Sequence, residues 1–279
     1  MMAFIPTNQK LFPSLLLIIT TSFLLLAPIP VNSDKIVSFD FPKFTGNESA
    51  LTLQGDAFIA YDQVYLTGYA HPKRAVGRLL YSTPVPLWDK TTGNVASFVT
   101  SFAFLLNFQK TIVPADGLIF FIAPPNSVIP NNAAGGNLGV VDPNTAFNRF
   151  VGVEFDNYVN EWDPDYAHIG IDVNSLISSK TVVWKPLHGY YVKVSIAYDS
   201  SSKILSVVLT DQSGQLATVA QVVDLKAVLP ETVTIGISAS TSELCRQIQN
   251  IYAWSFTSTL KTTISSITSN NTNNLASYA

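Results

Sequence analysis

From Lys35 onward the chain alternates apolar and polar positions with a period of two, the signature of half-buried β-strands. In "SFVTSFAFLLNF" (97–108), Phe98, Phe102, Phe104 and Phe108 share one face, and Ser97, Ser101 and Asn107 share the other. "YYVKVSIAYD" (190–199) sets Tyr190, Val192, Val194, Ile196 and Tyr198 against Lys193, Ser195 and Asp199. "WSFTSTL" (254–260) sets Trp254, Phe256 and Leu260 against Ser255, Thr257 and Thr259. About thirteen to fifteen such runs recur between Gly, Asn and Pro turns. No long helix is predicted, and "DLKAVLP" (224–230) carries at most one short helical turn before Pro230. Short, closely spaced strands predict an all-β fold, an antiparallel β-sandwich or jelly roll rather than a parallel sheet. The stretch "NSVIPNNAAGGNLGVVDPNTAFN" (126–148) lacks alternation and reads as a long loop of the kind that carries function. The tail 263–279, rich in Ser, Thr and Asn, is expected to be disordered or trimmed.

Residues 1–33 follow a different pattern. Lys10 is their only charged residue, and an apolar run from Leu11 to Ala27 follows it. Val31 and Ser33 then stand where a signal peptidase requires small residues, before Asp34. The run is interrupted by Ser14, Thr20, Thr21 and Ser22 and ends at Pro28, which favours a cleaved secretory signal over a membrane anchor. The expected domains are therefore a signal peptide (1–33) and one large β-domain (34–262), in a processed chain that is not an integral membrane protein. Secretory-pathway localisation follows, either extracellular or vacuolar.

Composition narrows the function classes. Charged residues make up only 13% of the chain, and removing Lys10 with the signal moves the net charge from −3 to −4. Neither value suits nucleic acid or an anionic membrane as a partner, and no basic cluster argues otherwise. Cys245 is the single cysteine, so no intrachain disulfide can form, and stability must come from the core and from metal. Asn47-Glu48-Ser49 and Asn270-Asn271-Thr272 are glycosylation sequons, making Asn47 and Asn270 candidate glycan acceptors.

Against this low charge, "EFDNYVNEWDPDYAH" (154–168) concentrates five of the 19 acidic residues and one of the 3 histidines. In "VGVEFD", alternation puts Val151, Val153 and Phe155 toward the core and Glu154 and Asp156 together on the other face. Carboxylates at i and i+2 lie roughly 6.5–7 Å apart along a strand, close enough to share a cation. "HIGID" repeats the pattern: Ile169 and Ile171 point inward, and His168, Gly170 and Asp172 outward. If the two strands pair, His168 reaches the same cation, and the loop between them adds Asn160 and Asp163 as oxygen donors. Carboxylates with one imidazole suit a transition ion such as Mn²⁺, while carboxylate, amide and carbonyl oxygens suit Ca²⁺. Cations would also offset the mutual repulsion of these acids.

"VGVEFDNYVNEWDPDYAHIGIDVNS" closely resembles the metal-site signature of the legume lectins. The resemblance covers essentially all of 35–260, including "LQGDA" (53–57), "GNVASFVTSFAF" (93–104), "ADGLIFFIAP" (115–124), "GGNLG" (135–139), "AQVVDLKAVLP" (220–230) and "AWSFTSTL" (253–260). It implies a jelly-roll sandwich that binds one Mn²⁺ and one Ca²⁺ and recognises sugars without catalysis. By that likeness Glu154, Asp156, Asp163 and His168 hold the transition metal. Asp156, Asn160, Asp163 and the Tyr158 carbonyl hold calcium, and Ser178 touches a metal-bound water. Asp116 would accept from sugar hydroxyls, Asn160 would donate its amide, Gly136 its backbone N–H, and Tyr158 would present its ring. The Ala115–Asp116 peptide is implied to be cis. Specificity is implied to depend on "STSELCRQIQN" (240–250), with Ser242, Glu243 and Leu244 as contacts. This loop looks somewhat like that of a galactose-binding member, with mannose/glucose and fucose also open. The resemblance further implies a homodimer or homotetramer assembled through the back sheet and partnered by glycans or glycoproteins.

Two other readings compete. Jelly-roll glycoside hydrolases can carry E-x-D-x-E on one strand, and Glu154 and Asp156 match its first half. Tyr158, however, stands where the second Glu is required, and Glu161 is out of phase. A lectin-like defence or storage protein without sugar binding would lack metal ligands or the glycan loop, and both motifs are present. Receptor ectodomains resemble the lectins too, but no membrane span or kinase domain follows the lectin-like region in this sequence.

Overall fold

The structure is a computed structural model that describes residues 34–68, 73–108, 113–145, 147–243 and 247–262. The expected signal peptide and C-terminal tail, with Asn270, lie outside the described residues. In chain order the first strands are β1 (Lys35–Phe41), β2 (Leu51–Gly55), β3 (Phe58–Ala60), β4 (Gln63–Tyr65), β5 (Val76–Tyr81) and β6 (Val85–Pro86). Next come β7 (Ser97–Phe108), β8 (Gly117–Ala123), β9 (Val151–Asp156), β10 (His168–Val173) and β11 (Lys180–Val183). The last are β12 (Tyr191–Asp199), β13 (Ile204–Asp211), β14 (Leu216–Val222), β15 (Thr232–Ser240) and β16 (Gln247–Leu260). Sixteen strands among the described residues slightly exceed the expected number, because short pairs such as β3 and β4 are too brief for alternation to reveal. The predicted helical turn is present as Leu225–Val228, capped by the Asp224 side chain, which accepts from the Ala227 N–H. Among the described residues no helix is long and apolar enough to cross a membrane.

These strands form two antiparallel eight-stranded sheets. One runs β14-β13-β12-β7-β16-β4-β3, with β1 also pairing with β16. The other runs β11-β10-β9-β8-β15-β5-β2, with β6 pairing with β15. Between the sheets the phenylalanines of "SFVTSFAFLLNF" meet those of the facing sheet. Phe102 packs against Phe120 at 6.4 Å and edge-on against Phe155 at 5.8 Å. Trp184 closes edge-on over Phe104 and Phe155. Alternation located this core well, since Phe98, Phe102, Phe104, Val192, Val194, Ile196, Tyr198, Trp254, Phe256 and Leu260 are all buried. Tyr190 departs from it: it precedes β12 and is exposed.

The second sheet corrects a larger expectation. β8 and β9 are buried on both faces, not half-exposed. The outer face of β8 belongs to a second cluster of Leu80, Ile119, Phe121, Leu138, Val140, Phe150 and Leu176, to which the long loop, followed here through to β9 as the 126–150 loop, contributes three members. That explains why "GLIFFIA" is continuously apolar instead of alternating. Glu154 and Asp156 on β9, and His168 and Asp172 on β10, are likewise buried.

Candidate functional site

Three neighbouring strands build the site. In β9 and β10, Asp156 stands opposite His168 and Glu154 opposite Gly170, while Gly117 of β8 stands opposite Asp156. The glycines allow close approach, since a Cβ on Gly170 would collide with Ser178 Oγ and lie 2.5 Å from Glu154 Oε1. His168 Nε2 lies 3.0 Å from Glu154 Oε1, and its Nδ1 faces the Tyr166 carbonyl at 3.3 Å. Ser178 Oγ contacts Glu154 Oε1 and lies 2.8 Å from Asp172 Oδ1. A single hydroxyl proton serves only one of these acceptors, so the other contact needs a carboxyl proton. The loop after β9 folds onto its own carboxylates: the Tyr158 N–H donates to Asp156 Oδ1, and the Asn160 N–H to Asp163 Oδ2, both at 2.7 Å.

The electrostatics are those of acids crowded away from water. Burial, then the charges of Glu154 and Asp163, pushes the Asp156 carboxyl well up. Asp172 is driven the same way by burial and Glu154, and so is the candidate to carry the proton beside Ser178. Burial raises Asp163 more than the Asn160 N–H lowers it. Burial opposes a charge on His168, but the hydrogen bond and charge of Glu154 outweigh it and raise its pKa. In its charged form both ring nitrogens can donate, one to Glu154 and one to the Tyr166 carbonyl.

Beside this cluster the peptide between Ala115 and Asp116 is cis, as the resemblance implies. The Asp116 N–H donates to the Ser240 carbonyl, and the Asp116 carbonyl accepts from the Asn157 N–H, both at 3.1 Å. Its carboxyl is 1% exposed, and burial followed by the charge of Asp163 pushes it up to about 7. The 126–150 loop brings its glycines to the same place. A Cβ on Gly135 would lie 4.0 Å from both Asp116 oxygens and 3.9 Å from Ser242 Cβ; one on Gly136 would lie 2.5 Å from Asn160 Oδ1. Arg74, Ala134, Gly135, Ser242 and Glu243 line an adjoining recess of about 150 Å³, and Glu243 pairs with Lys73 at 3.3 Å. Leu244 lies outside the described residues.

The fold thus gathers Asp116, Gly136, Asn160 and Ser242 at one mouth, above Glu154, Asp156, Asp163, His168 and Ser178. Glu161 and Asp165 are exposed. Asp116 Oδ2, Asn160 Oδ1 and Asp172 Oδ2 are buried with no hydrogen-bond partner. Buried acceptors normally find a donor or a cation, so these orphaned oxygens fit a site built for one. Among the described residues no group of three or more His, Cys, Asp or Glu is arranged to hold a metal ion as it stands, the acids being turned onto nearby hydrogen-bond donors. Sequence reasoning assigned no role to Asp172, although its alternation with His168 and Gly170 already placed it on this face.

The legume lectin domain family model matches residues 36–273. A Robinia pseudoacacia chain designated a bark agglutinin is 52% identical over 276 residues, covering 98% of this chain and 100% of that one. The galactose-binding lectin of Arachis hypogaea is 49% identical over 265 residues, covering 93% and 96% of the two chains. The seed lectin structure of Lotus tetragonolobus superposes with a TM-score of 0.78 at 47% identity, covering 81% of this chain and 99% of that one. Such relatives are lectins, which bind carbohydrate without catalysis. With a family model that matches most of its length and relatives about half identical over nearly the whole chain, this chain belongs to the legume lectin family.

Proposed function

We propose that the chain binds glycans at the mouth formed by Asp116, Gly136 and Asn160, in a manner that depends on Ca²⁺ and Mn²⁺. The observation that carries this reading is the pair of orphaned acceptors, Asp116 Oδ2 and Asn160 Oδ1, beside a glycine that leaves no room for a side chain. Glu154, Asp156, Asp163 and His168 would hold the transition ion. Asp156, Asn160, Asp163 and the Tyr158 carbonyl would hold calcium, with Ser178 adjacent. When bound, the ions supply the positive charge that keeps these buried carboxylates ionised. The chain's own groups do the recognition. Asp116 accepts from sugar hydroxyls in charge-assisted bonds, the Asn160 amide and Gly136 N–H donate, and the Tyr158 ring covers an apolar sugar face. Ser242, Glu243 and Leu244 would contact the sugar from the specificity loop. Similarity to the Arachis galactose-binding lectin makes galactose the first sugar to test, ahead of mannose/glucose and fucose.

Further parts of the reading concern processing and assembly: cleavage before Asp34, delivery through the secretory pathway, glycosylation at the exposed Asn47 and at Asn270, and a homodimer or homotetramer. The test is a glycan array probed in Ca²⁺ and Mn²⁺, after EDTA, and with Asp116→Asn. Saturable binding that EDTA and Asp116→Asn each reduce at least tenfold supports the site. Binding indifferent to both overturns it.

A further inference from the structure

Arg78 is buried in β5 at 0% exposure, with no carboxylate partner among the described residues. Burial alone lowers its pKa to about 10, so it stays charged at neutral pH. Burying an unpaired cation is costly unless its donors are used. Arg78 Nε and Nη2 both donate to the Gly139 carbonyl, the former at 2.9 Å, and Nη1 donates to Ser127 Oγ at 3.2 Å. The Phe121 ring lies 4.8 Å beneath the guanidinium. Gly139 and Ser127 both belong to the long glycine-rich loop.

The strand beside Arg78 treats the same loop in the same way. Ser238, opposite Arg78 across the β5–β15 pairing, donates its hydroxyl to the Leu138 carbonyl at 2.7 Å. Ser240 donates to the Gly135 carbonyl at 2.5 Å, while its own carbonyl accepts the Asp116 N–H. Carbonyls on both sides of Gly136 are thus tied to the sheet, and one residue, Ser240, holds both that loop and Asp116. Gly139 permits the arrangement: its φ is +72°, and a Cβ there would collide with Ser238 Oγ.

We infer that Arg78, Ser238 and Ser240 are positioning residues that brace the 135–139 loop so that the Gly136 N–H faces Asp116 and Asn160 before sugar arrives. The inference rests on the glycan reading of that mouth. None of the three residues needs to touch sugar or metal; together they remove the ordering that an untethered loop would require on binding.

The test uses the full chain in Ca²⁺ and Mn²⁺ with Ser240→Ala, Ser238→Ala, Arg78→Met and Arg78→Lys. Sugar affinity and metal affinity are measured by titration calorimetry, and amide hydrogen exchange is followed across residues 133–141. Loss of one neutral donor is expected to weaken sugar binding about fivefold, and Arg78→Met about fiftyfold. Metal affinity should stay within about twofold, loop exchange should accelerate, and Arg78→Lys should recover part of the loss. If Arg78→Met fails to fold, the two serine variants decide alone. Unchanged loop exchange in the serine variants, or faster exchange with unchanged sugar affinity, overturns the brace. If the unaltered chain binds no glycan, the glycan reading fails, and loop exchange still reports whether the brace exists.

Discussion

At the residue scale, Asp116 is set against itself. The proposed role needs its carboxylate charged, yet burial and the neighbouring Asp163 raise its pKa from 3.8 to about 7. Folding therefore favours the protonated form in the metal-free protein. That contribution to stability is fully present below 3.8 and is lost as pH rises through about 7. Asp156 and Asp172 push in the same direction. The melting temperature of EDTA-treated protein is expected to fall between about pH 4 and 7, with a cost of up to about 1.4 kcal/mol per pH unit for each such group. Asp116→Asn should stabilise the metal-free protein at pH 8 while abolishing sugar retention. A thermal melt series with both proteins checks this, and a flat pH profile would count against the burial argument. Individual roles of this kind were only partly legible in the chain. Alternation put Glu154, Asp156, His168 and Asp172 on one face, but it did not show that this face is buried rather than open to water.

At the element scale, the 126–150 loop makes the difference between an acidic sheet face and the proposed glycan mouth. Its glycines approach Asp116 and Asn160, and its apolar residues Leu138, Val140 and Phe150 pack with Ile119 and Phe121 on the outer face of β8. Gly136→Ala tests the first function without disturbing the second. The added methyl would press on the Asn160 amide at 2.5 Å, so sugar affinity should fall at least tenfold by calorimetry. The same close contact makes the substitution an overpacking one, so a stability loss of about 1–3 kcal/mol is expected beside the loss of sugar affinity. The sequence marked this loop by its lack of periodicity and its glycines. It did not reveal that polar strand residues such as Arg78, Ser238 and Ser240 anchor it, because an isolated polar residue in a strand gives no direction to its partner.

At the scale of the whole molecule, the aromatic layer between the sheets ties stability to the site. Phe104 and Phe155 are both fully buried, on opposite sheets, and pack against each other and against Trp184. Replacing either by Ala should cost about 3–5 kcal/mol in chemical denaturation. Only Phe155→Ala should also weaken metal affinity, because Glu154 and Asp156 flank Phe155 on β9. Equal metal loss in both variants would mean that the site depends on global stability, not on the local strand. By itself the sequence determined the all-β class, the core face of alternating strands such as β7, β12 and β16, and the family, since period-two alternation and local motifs are written in neighbouring residues. Which acids lie buried, which oxygens lack partners and which serines hold the glycine loop were decided by tertiary structure. Those properties arise where segments far apart in the chain cover one another and exclude water, and no local pattern encodes that meeting.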